Sequence, residues 1–572
     1  MVDQITRRTA LTAGLAASAA SCASTPTLMP YVSGGKPAVG TFAHGVAAGD
    51  PGPNSIVIWS RVSVNSSDAV TVSWEVSNDE TFSTIVASGS IKTGPSRDWT
   101  VKAQPKTLEP AQTYFYRFSL GDAQSPIGRA KTLPVGSVEQ ARFAVISCSN
   151  YPFGYFNVYD LISREDDFDA VIHLGDYIYE YGREGYGGTI GAALGREHEP
   201  AHEITSLDDY RTRYAQYRAD GAAQAMHARH AIIPIWDDHE TANNSWQEGA
   251  ENHQSETEGE WNARKRAALQ AYYEWMPVRE PTSSPEAFFR SYSYGNLLTL
   301  TAIETRLMAR SKQFEYSAIV PTLKSAEDVQ NFRDNILWDE TREMLGGAQL
   351  DFLDRTFRDS VAAGQPWRLI ANQIIMAKVT SPDLSPYMSE EDIVALEQEW
   401  SEGRAFVEFS KLGLPSNLDA WDGYPAARER FYKMVQEAGA DGMIVVTGDT
   451  HTWWANDLIT KDGTPIGVEL GTNSVTSPSP YRSEFLGGKG KEYSLLTNRK
   501  NKDVRYLSGD DHGFIDLTIN HDKAYGAFHA VDSVESQSYN AFKKAGFEID
   551  RKSGPARFSG KDGLGFKEGF IF

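Results

Sequence analysis

The sequence predicts an α/β catalytic domain preceded by an all-β module, and three observations lead to that reading. Short β-rich runs fill residues 41–134, apolar β-branched runs alternate with helical stretches from Arg142 onward, and four of those runs end in residues able to bind metal ions. The first pattern fits a fibronectin- or immunoglobulin-like sandwich. The second fits buried central strands in a layered α/β domain.

In chain order, the N-terminus comes first. Thr6-Arg7-Arg8-Thr9-Ala10-Leu11 places paired arginines before a mild Ala-rich stretch, so residues 1–30 resemble a twin-arginine export signal, with Ala10 where such signals usually carry Phe. Two fates stay open for its end: a degenerate lipobox, Ala19-Ala20-Ser21-Cys22, that would anchor the chain by lipid at Cys22, or peptidase cleavage near Ala23. Either way the expected location is the periplasm, the cell surface or the medium, with the twin-arginine export machinery as partner.

The all-β module is drawn at residues 40–135. Ser55–Ser60, Ala69–Val76 and Thr113–Phe118 alternate or are β-rich, and turn clusters such as Ala48-Gly-Asp-Pro-Gly-Pro53 separate them. The tyrosines around Leu108–Tyr114 suggest a tyrosine corner. No chemistry is visible there, which points to a supporting role. The catalytic domain is drawn at residues 140–530, with helices expected over Leu207–Arg229, Asn262–Met276 (stopped by Pro277) and Gly346–Ala363. Tyr181–Gly195 is expected as a long loop, Ser389–Gly403 as an acidic insertion helix, and 531–572 as a loosely patterned C-terminal extension.

Composition excludes several classes. The 572 residues carry 55 basic and 76 acidic side chains, a net charge of -21, which argues against a nucleic-acid-binding surface. No apolar run past the N-terminus is long enough to span a membrane as a helix. Only Cys22 and Cys148 are present, so there is no disulfide framework.

The chemistry lies at four strand ends. Arg142–Ser147 runs into Cys148-Ser149-Asn150, Ala170–Leu174 into Gly175-Asp176-Tyr177-Ile178-Tyr179, Ala231–Trp236 into Asp237-Asp238-His239-Glu240, and Gly442–Thr447 into Gly448-Asp449-Thr450-His451. Sites in layered α/β proteins form at the carboxyl ends of neighbouring strands, so these four can converge. Two cations held by a shared carboxylate can grip a phosphoryl oxygen, activate water and neutralise developing charge. Carboxylates suit a hard ion such as calcium, while thiolate, phenolate and imidazole suit ferric iron or zinc. Each motif alone is weak, because acidic residues also end strands as caps; the four together are specific.

Ser147-Cys-Ser-Asn150, His173-Leu-Gly-Asp-Tyr-Ile-Tyr-Glu180, Trp236-Asp-Asp-His-Glu240 with Asn243-Asn244, and Thr447-Gly-Asp-Thr-His451 closely resemble the PhoD-type alkaline phosphatases, calcineurin-like metallophosphoesterases related to purple acid phosphatases. The resemblance runs from Phe42–Pro51 to about residue 520. It implies a four-layer αββα metallophosphoesterase domain, one Fe³⁺ and one or two Ca²⁺. It further implies Cys148 as an iron thiolate, Asp176 as the bridging ligand, Tyr179 as a phenolate ligand, and Asp238, Asp449, His451 and Asn372 as further ligands. Asp238 stands where the wider superfamily carries Asn, and Asp449 where it carries His. His239 would contact phosphate or protonate the leaving group, with Asn150 and Asn243 contacting substrate and Arg306 bracing the site. Strand alternation leads us to expect Tyr177 and Asp237 to turn away from it, and His173 to be structural. The function so implied is hydrolysis of phosphate mono- and diesters by metal-activated water, scavenging phosphate. The alternatives are a phospholipase D-like phosphodiesterase and a non-catalytic, sandwich-bearing binding protein.

Overall fold

The computed structural model describes residues 40–561 apart from 66, 400, 552 and 553, so the segment expected to be an export signal, Cys22 included, lies outside the described residues. The chain folds as a mixed α/β protein around two large sheets. The ten-stranded one runs, edge to edge, Arg557–Lys561, Ala541–Asp550, Lys523–Val531, His512–Asn520, Gln140–Ile146, Ala170–His173, Ala231–Pro234, Val46–Gly49, Val57–Arg61, Thr100–Ala103. The seven-stranded one runs Arg290–Tyr294, Leu298–Ala302, Trp367–Ala371, Met443–Thr447, Pro465–Gly471, Trp453–Ile459, Val504–Ser508.

Phe143–Ile146, the inner part of the strand Gln140–Ile146, shows why these runs are so apolar. Its alternate side chains face opposite ways, and both faces are covered. Phe143 and Val145 share a core with Leu300, Leu369, Ile444 and Val468 of the seven-stranded sheet, whereas Ala144 and Ile146 pack with Val158, Tyr159, Tyr214, Met226 and Leu269 of the helices. Full burial of an aliphatic or aromatic side chain is worth about 1.5–3 kcal/mol, so a strand covered on both faces gains from every position. The seven-stranded sheet does the same: Val445 and Ile370 join Leu353, Phe357, Phe431 and Val435 in a separate core.

Helix boundaries follow local chemistry. Leu207–Arg218 begins at a capping box between Ser206 and Asp209. The stretch expected as one helix to Arg229 is in fact two, because the Asp220 carboxylate accepts from the Ala222 and Ala223 amides and starts a second helix, Gly221–Arg229. Trp261–Trp275 stops two residues before Pro277, and Gly346–Ala362 has the expected extent. Within the expected loop Tyr181–Gly195 lies a short helix, Gly188–Leu194, and the acidic insertion forms the helix Glu390–Glu399, followed by a further helix, Gly403–Ser410.

Two boundaries drawn from the sequence differ from the strand pairing. The N-terminal segment does form its own sheet, with Ile85–Thr93, Val70–Ser77, Thr113–Leu120 and Ala123–Gln124 in that order and Gly128–Lys131 on Thr113–Leu120. Here the Tyr114 hydroxyl accepts the Glu109 amide at 2.8 Å. Its other strands, however, enter the catalytic sheet, with Val46–Gly49 pairing parallel to Ala231–Pro234. The segment after residue 531 is no loose extension: Ala541–Asp550 pairs antiparallel with Lys523–Val531 and carries Arg557–Lys561 at its far edge. Ala545, Phe547 and Ile549 face the core there, an alternation that Lys543-Lys544 obscures in the sequence.

Candidate metal centre

Three adjacent parallel strands, Gln140–Ile146, Ala170–His173 and Ala231–Pro234, deliver Cys148, Asp176 and Asp237-Asp238-His239 at their carboxyl ends. The facing sheet delivers Asp449 and His451 after Met443–Thr447. The strand ends are tied to one another by backbone: the Cys148 amide donates to the Gly175 carbonyl at 3.1 Å, Ser149 to Asp176 at 2.9 Å, and Val475 to Ser147 at 2.9 Å. Cys148, Asp176, Asn244, Asp449 and His451 all have positive φ, between 51° and 61°. Left-handed backbone at a non-glycine residue costs free energy and persists where surrounding contacts over-determine it, as at functional sites.

Donor atoms of Cys148, Asp176 and His451 lie within 4.8 Å of one another, as do those of Asp176, Asp238 and His239, and those of Asp237, Asp238 and Asp449. Asp176 thus belongs to two groups and Asp238 to two. The Tyr179 hydroxyl sits with the first group, 3.1 Å from Asp176 Oδ2, 3.4 Å from His451 Nε2 and 2.8 Å from Ser477 Oγ. His239 packs its ring 4.1 Å from that of Tyr179, and its Nδ1 meets Glu180 Oε2 at 2.7 Å.

The electrostatics call for cations. Burial, aided by Asp176, pushes the Cys148 thiol well above its ordinary range. Burial also pushes the Asp176 carboxyl well up, opposed by His239 and reinforced by Asp238 and Asp237, and takes Asp237 up to about 7 against Arg306. Burial opposes ionisation of Asp238 too, but Arg306, His239 and the Asn244 amide outweigh it and hold that carboxyl low. For His239, burial is outweighed by Asp238, Glu180 and Asp176, which raise the imidazole well above its usual value. Asp176 Oδ1 and Asp237 Oδ2 are buried without a hydrogen-bond partner. Orphaned buried carboxylate oxygens are costly, and bound cations are what this donor set of thiol, phenol, imidazole and carboxylates would satisfy. The residues present therefore fit a metal centre.

The PhoD-like phosphatase family matches residues 143–528, and its N-terminal domain matches residues 31–134. The chain belongs to the PhoD-like phosphatase family. It is accordingly a phosphoric ester hydrolase. It is 33% identical over 497 residues to the alkaline phosphatase D of Bacillus subtilis (strain 168), covering 84% of this chain and 75% of that protein. A solved structure of PhoD superposes with a TM-score of 0.72 at 28% identity, covering 91% of this chain and 93% of that one.

Against the residues singled out from the sequence, the structure brings Cys148, Asp176, Tyr179, Asp238, His239, Asp449 and His451 into one cluster. Asn150 lies beside it, fully buried, with neither end of its amide hydrogen-bonded, and Asn243 sits over Glu180, donating its backbone amide at 2.8 Å. Asn372 ends its strand but has both ends of its amide engaged, by the Ile374 carbonyl at 2.6 Å and the Trp421 indole at 3.4 Å. Tyr177 turns to His227 at 2.9 Å and His173 to Tyr159 at 2.9 Å. Asp237 contradicts the expectation that it points away: it shares a donor group with Asp238 and Asp449. The strand has already ended at Pro234, so alternation no longer governs residues 237 and 238.

Sequence reasoning gave no role to two buried glutamates. Glu240 accepts the amides of Asp176, Tyr177 and Asp237 at 3.1, 2.6 and 2.8 Å, stitching two donor loops together. Glu180 fixes His239 while accepting Asn243 N–H and the Asn252 side chain, each at 2.8 Å. Both stand inside quoted motifs, so the available signal was an acidic residue with no metal left to serve. Arg306, fully buried, pairs with Asp237, Asp419 and Asp449.

Proposed function

We propose that this chain is an exported, metal-dependent alkaline phosphatase and phosphodiesterase that scavenges phosphate from esters outside the cytoplasm. The observation that carries the reading is Asp176, whose carboxylate groups with Cys148 and His451 on one side and with Asp238 on the other. Cys148, Tyr179 and His451 would hold Fe³⁺ with Asp176. Asp176, Asp238 and Asp449, joined by Asp237, would hold one or two Ca²⁺. When bound, such ions supply Lewis acidity toward phosphoryl oxygens and lower the pKa of water.

The chain's own residues do the rest. Glu180 fixes Nδ1 of His239, so the opposite ring nitrogen faces away from the glutamate and, in this reading, holds a proton for the departing alkoxide. Arg306 keeps Asp237 and Asp449 oriented from behind. Asn150, its amide unengaged, is the substrate contact we favour, with Asn243 beside Glu180. The sheets and their covering helices fit a four-layer αββα arrangement, and the N-terminal sheet with the strands it lends fits a sandwich.

Purified protein assayed on a chromogenic monoester and a diester tests the function. Turnover of both, lost on chelation and restored by metal, is the expected result. Bound metal without turnover of either would leave a binding protein. Export by the twin-arginine route is tested by replacing Arg7 and Arg8 with lysine, which should strand the protein in the cytoplasm. Undiminished activity outside the cell would contradict that route.

A further inference from the structure

Beside Asp449 and His451 opens a small cleft of about 50 Å³, open to solvent on one side. Those two residues line it together with Thr450, Ile375, Val379, Trp454 and Tyr481. We propose that this cleft is a leaving-group pocket for uncharged apolar carbon. The site would then take phosphate esters of aromatic or aliphatic alcohols that carry no second charged group near phosphorus. This rests on the phosphatase reading above and adds to it the substrate class.

Position is the first argument. The cleft shares Asp449 and His451 with the donor cluster, so a group leaving a phosphorus held at that cluster has this cavity next to it. Charge is the second. No Lys or Arg lines the cleft, and of its acidic residues Asp422 is already paired with Arg428 at 2.7 Å. Away from Asp449 and His451, an anionic substituent would give up water against Ile375, Val379, Trp454 and Tyr481 with no Lys or Arg in exchange, whereas apolar carbon gains by leaving water.

Rigidity is the third. The Trp454 indole donates to Thr450 Oγ1 at 3.0 Å and meets Tyr481 edge-on at 5.5 Å, and Tyr481 stacks on Tyr493 at 5.0 Å. The segment carrying Ile375 and Val379 is fixed as well. The buried Glu469 carboxylate accepts the Met376 and Ala377 amides at 2.6 and 3.2 Å, and Asp422 accepts the Val379 amide at 2.7 Å. A pocket already shaped in the free protein binds without the cost of ordering its walls.

The test is kcat/KM of the purified, metal-loaded protein on ethyl, butyl and hexyl phosphate, with phosphoglycolate as the anionic comparison. The three alkoxides leave almost equally well, so the series isolates the pocket. Each buried methylene should contribute about fourfold, making butyl phosphate better than ethyl by tenfold or more, with phosphoglycolate below ethyl. Ser416→Phe, which fills the cleft from a lining position, should cut the ethyl-to-butyl gain to less than twofold. The wild-type series decides even if that variant does not fold. A flat wild-type series with measurable turnover overturns the pocket and spares the phosphatase. A gain that survives intact in folded Ser416→Phe also overturns it, whereas no turnover of any ester overturns both.

Discussion

On one side of Asp176 stand Cys148, Tyr179 and His451; on the other stand Asp237, Asp238 and Asp449. The carboxylate side has its own counter-charge. Arg306 reaches Asp237, Asp419 and Asp449, and lies 3.9 Å from Asp238. On the thiol side, burial and Asp176 drive the Cys148 thiol toward its neutral form, and Tyr179 is driven the same way by burial, Asp176 and Cys148. The difference teaches that the two sides depend on a cation to different degrees. The carboxylate side is organised in part by protein charge, whereas thiolate and phenolate form only when a strongly charged ion replaces their protons.

The residue common to both sides gives the largest effect. Asp176→Asn should lose metal and lower turnover by about 10³-fold or more, since a metal's contribution to the transition state is several kcal/mol. Metal content and kcat of the variant, compared with wild type, check it; near-normal loading would mean that the two sides do not share a ligand.

His239→Ala should lower kcat by about 10²–10⁴-fold with metals retained, and by less on nitrophenyl esters, whose leaving group needs little protonation. Stoichiometric metal loss in that variant, or near-normal rates on glycerol phosphate, would contradict its assignment to proton transfer.

Much of this cluster was legible because donors at strand ends form short local motifs: Cys148, Asp176, Asp238 and Asp449 each follow an apolar run within three residues or so of its end. What was not legible depends on side chains meeting across long sequence distances. Arg306 and Asp419 lie 113 residues apart, and no pattern in either segment announces the pair. The lending of Val46–Gly49 to the catalytic sheet was hidden likewise, because a parallel pairing to Ala231–Pro234 leaves no local signature. Asp237 faces the site for a different reason: the strand ends at Pro234, and alternation holds only within it.

A smaller effect should come from the brace. Arg306→Met removes the guanidinium from the buried Asp237 carboxyl, while Asp419 keeps Arg310; breaking a buried pair of this kind typically costs about 3–5 kcal/mol of stability. Denaturant unfolding of the variant measures that loss, and raising calcium should recover part of it if the carboxylate side binds that ion. A variant as stable as wild type would mean that the carboxylates are neutral and that the contrast between the two sides is overstated.

The central claim is most directly tested by elemental analysis and a visible spectrum of the protein purified without added metal, recorded beside Cys148→Ser. Iron together with calcium, and a charge-transfer band that weakens or shifts in the Cys148→Ser protein along with its iron content, is the result expected of thiolate and phenolate on ferric iron. Zinc alone with no visible absorption, or full iron content, an unchanged spectrum and full activity in Cys148→Ser, would contradict the assignment.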